Sequence, residues 1–160
     1  AEPVATATLS CLAQADYKWI NYNKEADTVT YDDSYDPANN TFNKTTDMFF
    51  KPDSTNEDSF LTLYDDVAEF ATKNASKQWK LRLEGSVYGL DSALASSKKL
   101  ANDRSEKVKS ELVKRGVPAN RIVIDPPKDY SNEPQTSQMV EIYRRVVILV
   151  DPTCTTKSGQ

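Results

Sequence analysis

Leu100-Ala-Asn-Asp-Arg104-Ser-Glu-Lys-Val-Lys-Ser-Glu-Leu-Val-Lys-Arg-Gly116-Val-Pro-Ala-Asn-Arg-Ile122 is the stretch on which the reading of the fold turns. It predicts a long helix from about Lys98 to Arg115, because Gly116 follows a basic last turn and glycine there stops a helix. Downstream, Arg121 to Ile124 reads as a strand, and Asp125 to Ser137, with three prolines, as a solvated loop without regular structure. Met139 to Asp151 is β-branched, with Val140, Ile142, Val146, Ile148 and Val150 on one side. It is expected to be the last and best-buried strand.

Upstream, Trp79-Lys-Leu-Arg-Leu-Glu84 alternates strictly, as a half-buried strand does, and Gly85 is expected to end it. Residues 86–97 form a connection that holds at most a short helix around Asp91 to Ala95. Ser54-Thr-Asn-Glu57 has the spacing of a capping box and predicts a helix start. That helix would bury Phe60, Leu63, Tyr64, Val67, Phe70 and Ala71, spaced by three and four. Thr46 to Lys51 reads as a short strand, and residues 32–45, rich in Asp, Asn, Ser and Pro, as a loop or linker. Residues 1–31 carry scattered apolar positions, and Trp19-Ile20-Asn21-Tyr22 suits a strand. The order strand, helix, strand, helix, strand, strand predicts an α+β fold in which two helices cover one face of a mixed sheet.

The chain has 160 residues, enough for one domain, or for a core of about 110 residues with an extension. We read the second arrangement: residues 1–45 as an N-terminal extension packing on the core, 46–151 as the core domain, and 152–160 as a tail. Hydrophobic residues make up 38% of the chain, and no run approaches the ~20 apolar residues of a membrane-spanning helix. The net charge is −4, from 20 basic and 24 acidic side chains, with no basic stripe to neutralise a nucleic-acid backbone. The absence of histidine removes histidine bases and histidine-ligated metals, and two cysteines are too few for a four-cysteine zinc site. Four glycines form no phosphate loop, so neither a cofactor nor a metal is expected.

Nucleophilic catalysis has no candidate. Ser96-Ser-Lys-Lys99 spells Ser-x-x-Lys, but without the motifs that accompany it in penicillin-binding enzymes. Asp65-Asp66 and Asp32-Asp33 read as solvated charge on a helix and in a loop rather than as paired glycosidase carboxylates.

Cys11 and Cys154 stand near opposite ends of the chain and lack Cys-x-x-Cys spacing. They fit a structural disulfide in an oxidising compartment; two free thiols in a cytosolic protein are the alternative. Closing so long a loop would stabilise by up to about 4 to 5 kcal/mol on chain-entropy grounds. Cys11 does not suit lipidation, since Ala1 to Ser10 hold no apolar signal core. The first residue is alanine, as in a processed or trimmed protein, so any signal peptide would lie outside the sequence.

The helix of Arg104, together with Phe49-Phe50-Lys51-Pro52-Asp53-Ser54, Leu83-Glu84-Gly85 and Tyr143-Arg144-Arg145-Val146-Val147-Ile148, resembles the OmpA-like, peptidoglycan-associated domain family in order and near its spacing. The resemblance spans roughly residues 46–151 and implies the family's β-α-β-α-β-β two-layer sandwich. It also implies a non-catalytic module in the periplasm or cell envelope of a Gram-negative bacterium. Such a module anchors an envelope or surface complex to peptidoglycan through the diaminopimelate of the stem peptide. That ligand carries a carboxylate and an ammonium on one carbon, so its recognition needs a guanidinium fork beside an acidic acceptor.

Arg104 sits where the family's helix arginine sits, which makes it the expected carboxylate reader. The family's Gly-His-Thr-Asp reads Gly85-Ser86-Val87-Tyr88 here, so the acidic partner of the ammonium is missing. Asp91, in a connection one residue longer than the family's, is the candidate substitute. The family's asparagine before the helix reads Ser97, its Leu-Ser reads Leu100-Ala101, its Arg-Ala reads Arg104-Ser105, and its Asn-Arg-Arg reads Tyr143-Arg144-Arg145. Alternation sends Arg144 and Arg145 to opposite sides, and Arg144 is the one expected to face the pocket. Read structurally, Arg104 would be a surface helix residue paired with Glu84 or Asp91. The expected partners are the stem peptide and a protein of an envelope complex. The alternative function is a degenerate OmpA-like domain that has lost wall binding and serves as a protein-interaction or structural component. Trp19, Tyr17 and Tyr22 would then be a docking patch if exposed.

Overall fold

The computed structural model describes residues 9–12, 35–36, 41–42, 47–58, 61–87, 94–129 and 144–154. The strands are β1 (Ser10–Cys11), β2 (Tyr35–Asp36), β3 (Thr41–Phe42), β4 (Asp47–Phe49), β5 (Lys77–Gln78), β6 (Lys80–Val87), β7 (Ile122–Asp129) and β8 (Arg145–Asp151). The helices are α1 (Thr62–Lys73) and α2 (Leu94–Lys114), with a 3-10 turn at Ala119–Arg121. The main sheet has the order β4-β8-β6-β7: β8 is antiparallel to both of its neighbours, while β6 and β7 run parallel.

Register follows the apolar pattern. Leu81 pairs with Val150 and Ile122, Leu83 with Ile148 and Ile124, and Met48 with Val146. These side chains form one core with Leu63, Tyr64, Val67, Phe70 and Ala71 of α1 and Val108 and Leu112 of α2. The fold is the expected α+β arrangement, a mixed sheet under two helices.

The opposite face is divided. Phe49, Arg145 and Val147 on β4 and β8 are at most 1% exposed. Toward β7 the same face is polar, where Arg82 donates twice to the Asp125 carboxylate, at 3.0 and 2.6 Å.

Several boundaries depart from expectation for identifiable reasons. Helix α1 begins at Thr62, because Ser54 and Glu57 serve a turn: Asn56 N–H donates to Ser54 Oγ at 2.8 Å, and Tyr64 Oη donates to the Glu57 carboxylate at 3.0 Å. Helix α2 starts at Leu94, a turn earlier than Lys98. Strand β6 continues through Gly85 to Val87. Strand β7 runs on through Pro126 and Pro127, which a sheet interior would reject; β7 is an edge strand, and a register shift falls between Glu84 and Ser86 of its partner. Residues 32–45, read as a loop, include the antiparallel pair of β2 and β3. Phe60, Pro134, residues 139–143 and the Trp19 to Tyr22 segment lie outside the described residues.

Gly116 ends α2 as expected, at φ 101°, with Val117 N–H donating to Leu112 O at 3.1 Å and Gly116 N–H to Val113 O at 3.0 Å. This is the Schellman arrangement, which needs a left-handed residue at Gly116.

The ends of the described chain are held on the core. Cys11 and Cys154 form a disulfide across 143 residues. Beside it β1 pairs with β5, Gln78 Nε2 donates to Leu9 O at 2.8 Å, and Leu12 is fully buried in the core. Arg121 lies 4.1 Å from the Trp79 ring centre and donates to the carbonyls of Lys77 and Ala75, closing this end of the sheet.

Gly85 is where α2 meets β6. A Cβ there would stand 2.9 Å from the Ala101 carbonyl oxygen and 3.1 Å from its Cβ, closer than backbone tolerates. Gly85→Ala is therefore expected to push helix and strand apart at a cost of about 1 to 3 kcal/mol, lowering the melting temperature by roughly 3 to 10 °C. Thermal unfolding followed by circular dichroism reads this directly, and an unchanged midpoint contradicts the close approach.

Candidate functional site

The site is built where β4 leaves the sheet. Phe50 stays tied to both sides: its N–H donates to Arg144 O at 2.6 Å, and it bridges to Glu57. Lys51 N–H donates to Asn56 O and Asp58 N–H to Phe49 O, closing residues 51–57 into a compact turn. At its tip Lys51, Pro52 and Asp53 are exposed. Asp53 takes a left-handed backbone, φ 51°, a region that aspartate and asparagine enter more readily than other non-glycine residues.

Two arginines grip this turn from elements far apart in sequence. Arg104, from the middle of α2, donates through Nε to Ser54 O at 2.9 Å and through Nη2 to Lys51 O at 3.1 Å. Its guanidinium carbon lies 5.6 Å from the centre of the Phe50 ring. Arg144, just before β8, donates through Nε to Phe50 O at 3.1 Å. Arg104 is no surface residue, being only 4% exposed, and the expected partner Asp91 lies outside the described residues.

The pair is electrostatically tense. Burial first, and then the charge of Arg144, push the Arg104 pKa down to about 10, with Asp53 opposing the shift. Arg104 still carries its charge at neutral pH, so two like charges are held at one end of the sheet.

The expected site residues therefore divide. Arg104 and Arg144 converge on the carbonyls of one turn. Ser97 is half-buried in the first turns of α2. Tyr88 and Asp91 lie outside the described residues. Arg145, adjacent to Arg144, is fully buried on the sheet face away from the helices, paired in register with Phe49. The residue that sequence reasoning passed over is Asp53. Its signal was Lys51-Pro52-Asp53-Ser54, a turn-forming run that we read only as part of a family motif.

The described residues hold no cluster of three or more acidic, histidine or cysteine side chains able to bind a metal, and no helix among them is long and apolar enough to cross a membrane.

No protein-family model matches the sequence, and no curated protein matches it either. Solved structures do match. The periplasmic domain of Helicobacter pylori MotB superposes with a TM-score of 0.50 at 18% identity, over 67% of this chain and 71% of that one. Another MotB periplasmic-domain structure gives 0.50 at 19% identity, over 66% of this chain and 58% of that one. The OmpA-like domain of FopA1 from Francisella tularensis gives 0.46 at 14% identity, over 66% and 71%. At such identities the likeness is one of fold. The chain has the OmpA-like fold, as a divergent example.

Arg104→Lys keeps the charge but cannot span two carbonyls with a fixed fork. It is expected to destabilise by about 1 to 3 kcal/mol through the acceptor left without a donor. Urea denaturation monitored by the tryptophans measures this, and a midpoint equal to wild type contradicts the clamp.

Proposed function

We propose that this domain is a non-catalytic envelope module that holds peptidoglycan through the diaminopimelate of its stem peptide, at the turn clamped by Arg104 and Arg144. The observation that carries the reading is the convergence of these two arginines, 40 positions apart, on three carbonyls of one short turn: Phe50, Lys51 and Ser54. The cations collected there suit the ligand's carboxylate, and Arg144, half-buried, is the more accessible of the two.

Support also comes from the fold. The structures it superposes on are periplasmic domains, which agrees with the disulfide and with a periplasmic or envelope location. In this role the module is an anchor for a larger envelope assembly rather than an enzyme.

A second reading is favoured by one observation. Arg104 is buried and committed to main-chain carbonyls, which is what a fold-supporting arginine does. On that reading the domain has lost wall binding and serves as a protein-interaction or structural component of the envelope.

Co-sedimentation with diaminopimelate-type peptidoglycan at moderate salt, which screens non-specific charge attraction, separates the two. The anchor reading predicts that the wild-type chain pellets and that Arg144→Ala, whose fold is checked by circular dichroism, loses about tenfold in affinity. Wild-type protein that stays in the supernatant overturns the anchor reading and leaves the second.

A further inference from the structure

We infer that Asp53 is the acidic group of this site, accepting the ligand's ammonium while Arg144 takes the adjacent carboxylate and Arg104 positions the turn between them. The inference rests on the peptidoglycan reading above and goes beyond it, because it assigns the ammonium to a turn after β4 rather than to the loop after β6.

Three features of the turn carry it. First, its main chain is pinned on both sides of Asp53: Arg104 donates to Lys51 O, two residues before, and to Ser54 O, one residue after. Second, Asp53 is exposed while the guanidinium beside it is buried, so Asp53 is the member of the group that a ligand meets first. Third, the left-handed backbone at Asp53 is held by its surroundings, with Asn56 N–H on Ser54 Oγ and Lys51 N–H on Asn56 O. Backbone in such sparsely populated regions persists only where the structure fixes it.

The electrostatics agree with this placement. Burial and then the charge of Arg144 lower the Arg104 pKa, and the charge of Asp53 opposes them. An amino acid end has its ammonium and carboxylate on one carbon and is read by an acid and a cation that reach it together. A simple dicarboxylate would meet Asp53 as a repulsive neighbour. The turn would therefore select for the zwitterion over the bare acid.

The test compares meso-diaminopimelate with pimelate, which keeps both carboxylates and lacks both amines, by equilibrium titration of the full chain. Asp53→Asn is the variant of choice because asparagine also accepts left-handed backbone and leaves the turn intact. Wild type is expected to favour diaminopimelate over pimelate by about tenfold, and Asp53→Asn to lose that preference while binding pimelate at least as well as wild type. A variant that keeps the preference overturns the role of Asp53 and leaves the anchor reading standing. Wild-type protein that binds both compounds equally also overturns it. Wild-type protein that binds neither overturns the anchor reading and this inference together.

Discussion

The grip of Arg104 on the carbonyls of Lys51 and Ser54 is the interaction on which this end of the molecule depends. A guanidinium at 4% exposure has lost most of its water, and the lost hydration is replaced by fixed acceptors and by the Phe50 ring. Because Arg104 stands on α2 and its acceptors follow β4, the contact ties the helix layer to an edge of the sheet. Removing the arginine would leave two carbonyls short of a donor and free the turn that carries Asp53. On the proposed reading, stability and recognition are coupled in one side chain.

The close contact of Gly85 with Ala101 serves the same end. It lets α2 sit low on β6, which sets how far along the sheet the Arg104 side chain can reach. The disulfide and Arg121 secure the other end, where β1 joins β5 and Trp79 is covered. The sheet is therefore locked at both ends by contacts between segments distant in sequence, while its middle is held by ordinary apolar packing of Leu81, Leu83, Ile148 and Val150 against the helices.

Much of this was legible in the residues. The alternation of Trp79 to Glu84, the three-and-four spacing from Leu63 to Ala71, and the Gly116 stop all report local geometry, and each element lies where that geometry put it. Boundaries failed where a tertiary contact overrode a local signal. Ser54 and Glu57 spell a helix cap, yet the turn gripped by Arg104 takes them over. Pro126 and Pro127 forbid a central strand but not an edge strand. The candidate site was half legible: the family pattern pointed to Arg104 and Arg144, but the acid it expects is absent. Asp53 stood in the turn-forming run Lys51 to Ser54, but the grip of Arg104 on that turn depends on a contact across 50 residues that no local pattern reports.

The central claim is that the arginine pair and its turn form a ligand-reading surface rather than a structural knot alone. The most direct measurement follows the arginine Nε–Hε resonances of the full chain by NMR as free meso-diaminopimelate is added. The account predicts a saturable shift at Arg144, with Arg104 responding through the shared turn and Arg121, at the far end of the sheet, unmoved. A titration that shifts no arginine, or shifts Arg121 as much as Arg144, would contradict it.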